Sequence, residues 1–368
     1  MRKAQLLTLL LGVSLSAFLI VVIFFIFVFF RRKESSTSSS TKSDQYDDVE
    51  SLDHNNKQGY SINSETEELV TFQGGEDLTI CDILDAPGEV IGKSSYGTLY
   101  KASLQRSGKI RVLRFLRPVC TVRSDSKEFK GVIETLGFVR HENLVPLLGF
   151  YGGNRGEKLM VHPFFASWNL SEFIRSGDDE SKQWINILSI SIGISKALDH
   201  LHAGMQKPIV HGNLKTKNVL LSPSFEPRVS DFGLHLLLNL SAGLEILDVS
   251  AAEGYKAPEL IKMKEVSKES DVYSLGVIML ELVSGKEPIN ENPTGDDEFY
   301  LPDFMRHAVL DHRLSDLYRP EILKSDDNLT EECVLKYFQL AMSCCSPSPS
   351  LRPNIKQVLR ILEEIRKR

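Results

Sequence analysis

The sequence has few cysteines: Cys81, Cys120, Cys333, Cys344 and Cys345, with no C-x-x-C pair among them. That spacing supplies neither a disulfide framework nor a zinc-ligand set, and it predicts reduced, buried thiols. A basic excess is also missing, since the net charge is -6. Nucleic-acid binding ordinarily needs a basic stripe, so nucleic acid is excluded as an expected partner. No internal repeat, heptad run or collagen-like period is present. What remains is ordinary globular composition, 42% hydrophobic and 25% charged, over 368 residues. That is enough chain for two domains or one large bilobal one.

Charge is absent altogether from Ala4 to Phe30, and Phe18 to Phe30 is almost wholly Val, Ile, Leu and Phe. A membrane-spanning helix needs about 20 such residues. The run ends in Arg31, Arg32 and Lys33 rather than in the small residues of a cleavage site. Residues 1–33 therefore read as a retained transmembrane anchor with its flanks, the Arg31 side slightly favoured as cytoplasmic. Only a few residues would then protrude on the far side, with no sizeable outer domain. Residues 34–77 are rich in Ser, Thr, Asp, Glu and Asn. They hold too little apolar surface to offset their ordering entropy, which predicts a disordered juxtamembrane linker. Its hydroxyls also permit a phosphorylated docking tail.

The stretch that carries chemistry runs from Ile209 to Leu221 and continues at Arg228 to Gly233. It resembles the catalytic loop and metal-binding turn of protein kinases, whose pattern is H-R-D-L-K-x-x-N, then D-F-G. His211, Leu214, Lys215, Asn218, Asp231, Phe232 and Gly233 match it. Gly212 stands where the family has Arg, and Asn213 where it has the catalytic Asp. The resemblance extends over about 78–368, most closely to plant receptor-like kinases of the leucine-rich-repeat type. It implies an α+β, bilobal fold: a β-rich small lobe over about 78–165 and a mainly helical large lobe over about 166–368.

In the small lobe the family hairpin is G-x-G-x-x-G-x-V. Gly92 and Gly97 match, while Ser94 and Leu99 replace the middle glycine and the valine. A side chain at position 94 narrows a cradle that needs close backbone approach. The following strand, Lys109 to Leu116, carries Arg114 where the family lysine holds the phosphates. A forked guanidinium is no substitute for a compact ammonium. Arg114 either still touches a phosphate or is a surface arginine on an edge strand. Next, Asp125 to Glu128 suggests a capping box, and Phe129, Val132, Ile133 and Leu136 mark one helical face. The family's paired glutamate falls at Val132. Glu134 lies two residues on, about 200° around the helix, facing away. His162, on the strand before the hinge, reads as a hydrogen-bonded core histidine.

In the large lobe the apolar stretch from Trp184 to His202 predicts a buried helix. The resemblance implies that Asp271 ties down the catalytic-loop backbone and that Glu259 pairs with Arg352. Ile355, Val358, Leu359, Leu362 and Ile365 form a final helical stripe. The activation segment, Asp231 to Glu259, has no threonine, and with Gly212 the phosphate-reading switch is missing. Asn169, Asn239 and Asn328 open N-x-S/T patterns, which a cytosolic domain leaves unmodified.

The resemblance thus implies a nucleotide site of Ile91, Gly92, Ser94, Gly97, Leu99, Val112, Arg114, Leu220, Asn218 and Asp231. Asn218 and Asp231 would hold Mg2+, with Asn213 in the degenerate base position beside Lys215. ATP and Mg2+ binding is expected to be weak or absent, because Ser94 and Arg114 crowd the phosphate site and Val132 leaves Arg114 without its carboxylate, although Asn218 and Asp231 leave residual metal binding open. Loss of base, ion pair and middle glycine together should leave little transfer activity. Three readings stay open: a plasma-membrane, single-pass pseudokinase that scaffolds or allosterically regulates active receptor kinases; a weak Ser/Thr kinase; or an inert anchor.

Overall fold

A computed structural model describes residues 67–122, 127–176, 183–290, 299–313, 316–324 and 331–367. The expected anchor, most of the linker, the Asp125 cap and Asn328 lie outside these residues. Among the described residues no helix is long and apolar enough to cross a membrane.

The small lobe contains β1 (Glu68–Thr71), α1 (Ile80–Leu84), β2 (Gly88–Lys93), β3 (Gly97–Ser103), β4 (Ile110–Leu116), α2 (Lys127–Gly137), β5 (Gly149–Gly152) and β6 (Lys158–Pro163). Its six-stranded sheet has the order β1-β5-β6-β4-β3-β2, antiparallel throughout. The folded lobe therefore starts earlier than Leu78. β1 pairs with β5 through Glu68 opposite Gly152 and Thr71 opposite Gly149. Phe72 enters the core beside Gly137. β4 lies inside the sheet, and Arg114 on it is buried, so the edge-strand reading is wrong. On α2, Phe129, Ile133 and Leu136 are buried, Val132 packs partly against the core, and Glu134 is exposed.

The large lobe starts with β7 (Trp168–Asn169) and α3 (Leu170–Arg175) and is built around α4 (Trp184–Ala203). Leu188, Ile190, Ile194, Leu198 and Leu201 of α4 are buried on several sides, as the unbroken apolar pattern requires. β8 (Val219–Leu221) and β9 (Pro227–Val229) form a hairpin that separates Asn218 from Asp231. Next come α5 (Leu240–Ala252), α6 (Leu260–Met263) and α7 (Lys268–Ser284). The carboxy-terminal part holds β10 (Ile289–Asn290), β11 (Phe299–Tyr300), α8 (Leu301–Leu310), α9 (Pro320–Lys324), α10 (Glu331–Cys344) and α11 (Ile355–Arg366). Ile355, Val358, Leu362 and Ile365 of α11 are buried. Two of the sequons serve as helix caps. Asn169 Oδ1 accepts from Glu172 N at the start of α3, and Asn239 Oδ1 from Ala242 N at the start of α5.

Candidate active site of a kinase-like cleft

The catalytic loop hangs from Asp271, which is 2% exposed near the start of α7. Its carboxylate accepts from His211 N at 2.7 Å, Gly212 N at 2.9 Å and His202 Nε2 at 2.8 Å. Burial works against charge at Asp271, yet these donors outweigh it and hold its pKa below the usual value. Arg352 grips Glu259 with both ends of its fork, each at 2.6 Å. The positions that shape a kinase large lobe are thus in place.

The positions that would meet substrate and nucleotide are arranged differently. Asn213 is buried in the loop, and its carbonyl accepts from Asn218 Nδ2 at 2.9 Å. The Asn218 amide therefore braces the loop. Lys215 Nζ reaches Glu253 Oε2 at 2.6 Å, and Lys217 Nζ reaches Glu253 Oε1 at 2.9 Å. Burial alone would raise the Glu253 pKa, but the two ammonium groups bring it below the usual carboxylate value.

Arg114 donates through Nη2 to Asp231 Oδ1. This ion pair spans the two lobes, with both side chains largely buried. Burial opposes the charge on Arg114, but Asp231 and the Tyr96 phenol reverse that effect and raise its pKa overall. Tyr96, at the tip between β2 and β3, hydrogen-bonds to Arg114 and Ser94, and burial pushes its own pKa up. Nearby, His162 Nδ1 donates to the Pro146 carbonyl at 3.0 Å, and burial drives its pKa down to about 4. It is the hydrogen-bonded core histidine expected. Arg114, Met160, His162, Asp231 and Phe232 line an internal space of about 20 Å³, roughly the room for one water molecule.

The structure therefore pairs Arg114 with Asp231 and Asn218 with Asn213, partnerships that the motif order did not imply. The carboxylate that Arg114 lacks at Val132 is supplied by Asp231. Ile91, Gly92, Leu99, Val112 and Leu220 are not fully buried. Gly92 pairs with Leu99, Leu99 with Arg114, and Val112 with His162. Sequence reasoning missed Tyr96, whose only signal was an aromatic residue at a hairpin tip, and Glu253, which lies well beyond the matched motif. Among the described residues no cluster of three or more His, Cys, Asp or Glu could hold a metal ion.

Comparison with known proteins agrees with this architecture. The family described as "Protein kinase domain" matches residues 86–361. The kinase-like protein TMKL1 of Arabidopsis thaliana is 39% identical over 88% of this chain and 48% of its own length. A "Probable inactive receptor kinase" of the same plant is 36% identical over 82% of this chain and 45% of its own length. The chain spans less than half the length of these curated relatives. Among solved structures, the kinase domain of maize SIRK1 bound to AMP-PNP is 31% identical, with a TM-score of 0.71 over 81% of this chain and all of that one. The pseudokinase domain of BIR2, an immune regulator, is 25% identical, with a TM-score of 0.65 over 83% of this chain and 91% of that one. With these motifs in order, the Asp271 and Glu259–Arg352 framework in place and the family match over residues 86–361, the chain belongs to the protein kinase family, and the relatives it resembles are plant receptor-like kinases.

Proposed function

We propose that the chain is a membrane-anchored receptor-like pseudokinase that acts as a scaffold or allosteric partner of active receptor kinases. The observation that carries this reading is the Arg114–Asp231 ion pair. In kinases the lysine at this strand position steadies the phosphates and the D-F-G aspartate holds magnesium. Here the corresponding side chains neutralise each other, Tyr96 bonds to Arg114, and Asn213 offers no carboxylate base. Arranged this way, the residues do not fit Mg·ATP, and no phosphoryl-transfer step can be drawn through them. Relatives described as inactive, and a pseudokinase regulator of the same fold, support the reading. On this reading the Ala4–Phe30 segment anchors the chain in the plasma membrane, and the likeness to protein kinases puts the domain on the cytosolic side.

A weak Ser/Thr kinase is the competing reading. The intact Asp271 and Glu259–Arg352 framework favours it, as does the likeness to a kinase domain solved with AMP-PNP. Thermal shift of the full chain with ATP, with and without magnesium, separates the two. The pseudokinase reading expects no magnesium-dependent shift. A magnesium-dependent shift saturating at low micromolar ATP would sink it and promote the weak kinase.

A further inference from the structure

In this chain the activation segment is held at three separate places. At its start, Gly233 N donates to the His211 carbonyl at 3.1 Å, and His235 then packs against the catalytic loop. The contact is with position 212. A Cβ added to Gly212 would lie 2.5 Å from His235 Nδ1 and 2.9 Å from Cε1. Real Cβ atoms do not approach so closely, so the imidazole occupies the space a side chain at 212 would need. Gly212 also has a φ of +75°, which an L side chain rarely adopts. His235 Nδ1 is buried with no hydrogen-bond partner, so shape rather than hydrogen bonding at that atom holds the ring.

In its middle the segment is joined to the small lobe. Val122 N donates to the Leu237 carbonyl at 3.2 Å, and Asn239 N to the Cys120 carbonyl at 2.9 Å. Asn239 Nδ2 donates to the Val119 carbonyl at 2.8 Å, and Thr121 and Leu238 form an antiparallel bridge. At its end, α5 buries Ala242, Ile246, Leu247 and Ser250, and Glu253 takes both Lys215 and Lys217. The hydroxyls available between Asp231 and Tyr255 are two serines. Ser250 is buried, while Ser241 lies in the first turn of α5, where a phosphate would favour the helix rather than melt it.

We infer that the activation segment is a fixed brace between the lobes, wedged by His235 into the space left by glycine at position 212, and that it does not switch. This goes beyond the absence of catalysis, because a chain without transfer activity could still have a mobile segment. The test is hydrogen exchange of the full chain in detergent micelles, read over residues 233–253. The unmodified protein should protect the amides of Gly233, Leu238 and Asn239 as strongly as those of α7, unchanged by Mg·ATP. Gly212→Ala should speed exchange there by about tenfold or more, whereas the same change made on a His235→Ala background should add much less to the exchange rate of that background. The backbone strain of a side chain at 212 is common to both backgrounds and cancels in the comparison. His235→Ala alone introduces no side chain at position 212 and keeps the test open if Gly212→Ala does not fold. It should loosen 233–239 while leaving α7 unchanged. Exchange in the unmodified chain as fast as an open loop would overturn the brace. So would a Gly212→Ala effect of equal size with and without His235. Either result would leave the pseudokinase reading standing, since that rests on nucleotide binding.

Discussion

Replacing Asp231 with alanine should destabilise this protein. In a working kinase the D-F-G aspartate holds magnesium, and its loss is felt mainly in catalysis. Here its carboxylate is the partner of Arg114, whose side chain is 7% exposed. Removing one member of a buried ion pair leaves an uncompensated charge, which costs about 3–5 kcal/mol. Arg114 would keep only its hydrogen bond to Tyr96, a neutral phenol. At about 2–4 °C per kcal/mol for a large domain, the melting temperature should fall by roughly 6–20 °C. Arg114→Met combined with Asp231→Ala removes both charges and replaces the guanidinium with an apolar side chain of similar length. Such replacements are often close to neutral, so the double variant should melt near the unmodified protein. Urea unfolding of the single and double variants gives the coupling between the two sites. If Asp231→Ala alone melts within a degree of the unmodified chain, the ion pair does not exist in solution. The phosphate site would then be open.

Three further outcomes follow from particular groups. Glu281 is buried, which pushes its pKa up from 4.5 to about 8, against the opposing hydrogen bond from Tyr255. A raised carboxyl contributes stability below its unfolded pKa and loses it as pH rises through 8. Glu281→Gln keeps the acceptor for Tyr255, so it should match the unmodified chain near pH 4.5 and exceed it at pH 7 by on the order of 3 kcal/mol in urea unfolding; equal stability at both pH values would refute this. His162 has the opposite sign. Its pKa, lowered to about 4 by burial, makes the neutral ring a source of stability above pH 6.5 that fades as pH falls toward 4. His162→Gln should flatten that part of the unfolding profile. Finally, Asn213→Asp alone should restore no autophosphorylation in a radiolabelled ATP assay, because Arg114–Asp231 and the missing glutamate at Val132 are separate obstacles; transfer by that variant would show the cleft to be open.

The parts of this fold that local pattern determines were legible. The stripes on α2, α4 and α11 follow from side-chain periodicity, and the Asp271 and Glu259–Arg352 contacts follow from positions that the motif order identifies. β1 was missed because Glu68–Thr71 lies in a polar stretch and owes its place to backbone pairing with β5, not to an apolar run. α5 was missed because a helix in the activation segment depends on tertiary packing of Ile246 and Leu247, not on its motif. The partner of Arg114 was beyond reach for a different reason. The sequence shows which carboxylate is lost at Val132, but an unpaired arginine can recruit any acid that the fold brings near. Only the geometry across the cleft identifies Asp231 as that acid.

The pattern of lost and kept residues has a thermodynamic consequence. A ligand that binds only the closed, folded state stabilises it by an amount that grows with its concentration. A kinase whose lobes are bridged by Mg·ATP therefore has a nucleotide-dependent conformation. In this chain the bridge is made by the chain's own side chains and backbone: Arg114 from β4 pairs with Asp231 after β9, and the Val119–Val122 segment hydrogen-bonds to Leu237–Asn239. These contacts join the lobes without a ligand. A protein that presents one surface to a partner benefits from such constancy, because a competent state populated at nearly unity exacts no loss of apparent affinity. The exchanges at positions 114 and 213 remove chemistry, and the contacts formed by Arg114 give back a fixed shape. On the pseudokinase reading proposed above, this combination suits a scaffold better than a switching enzyme.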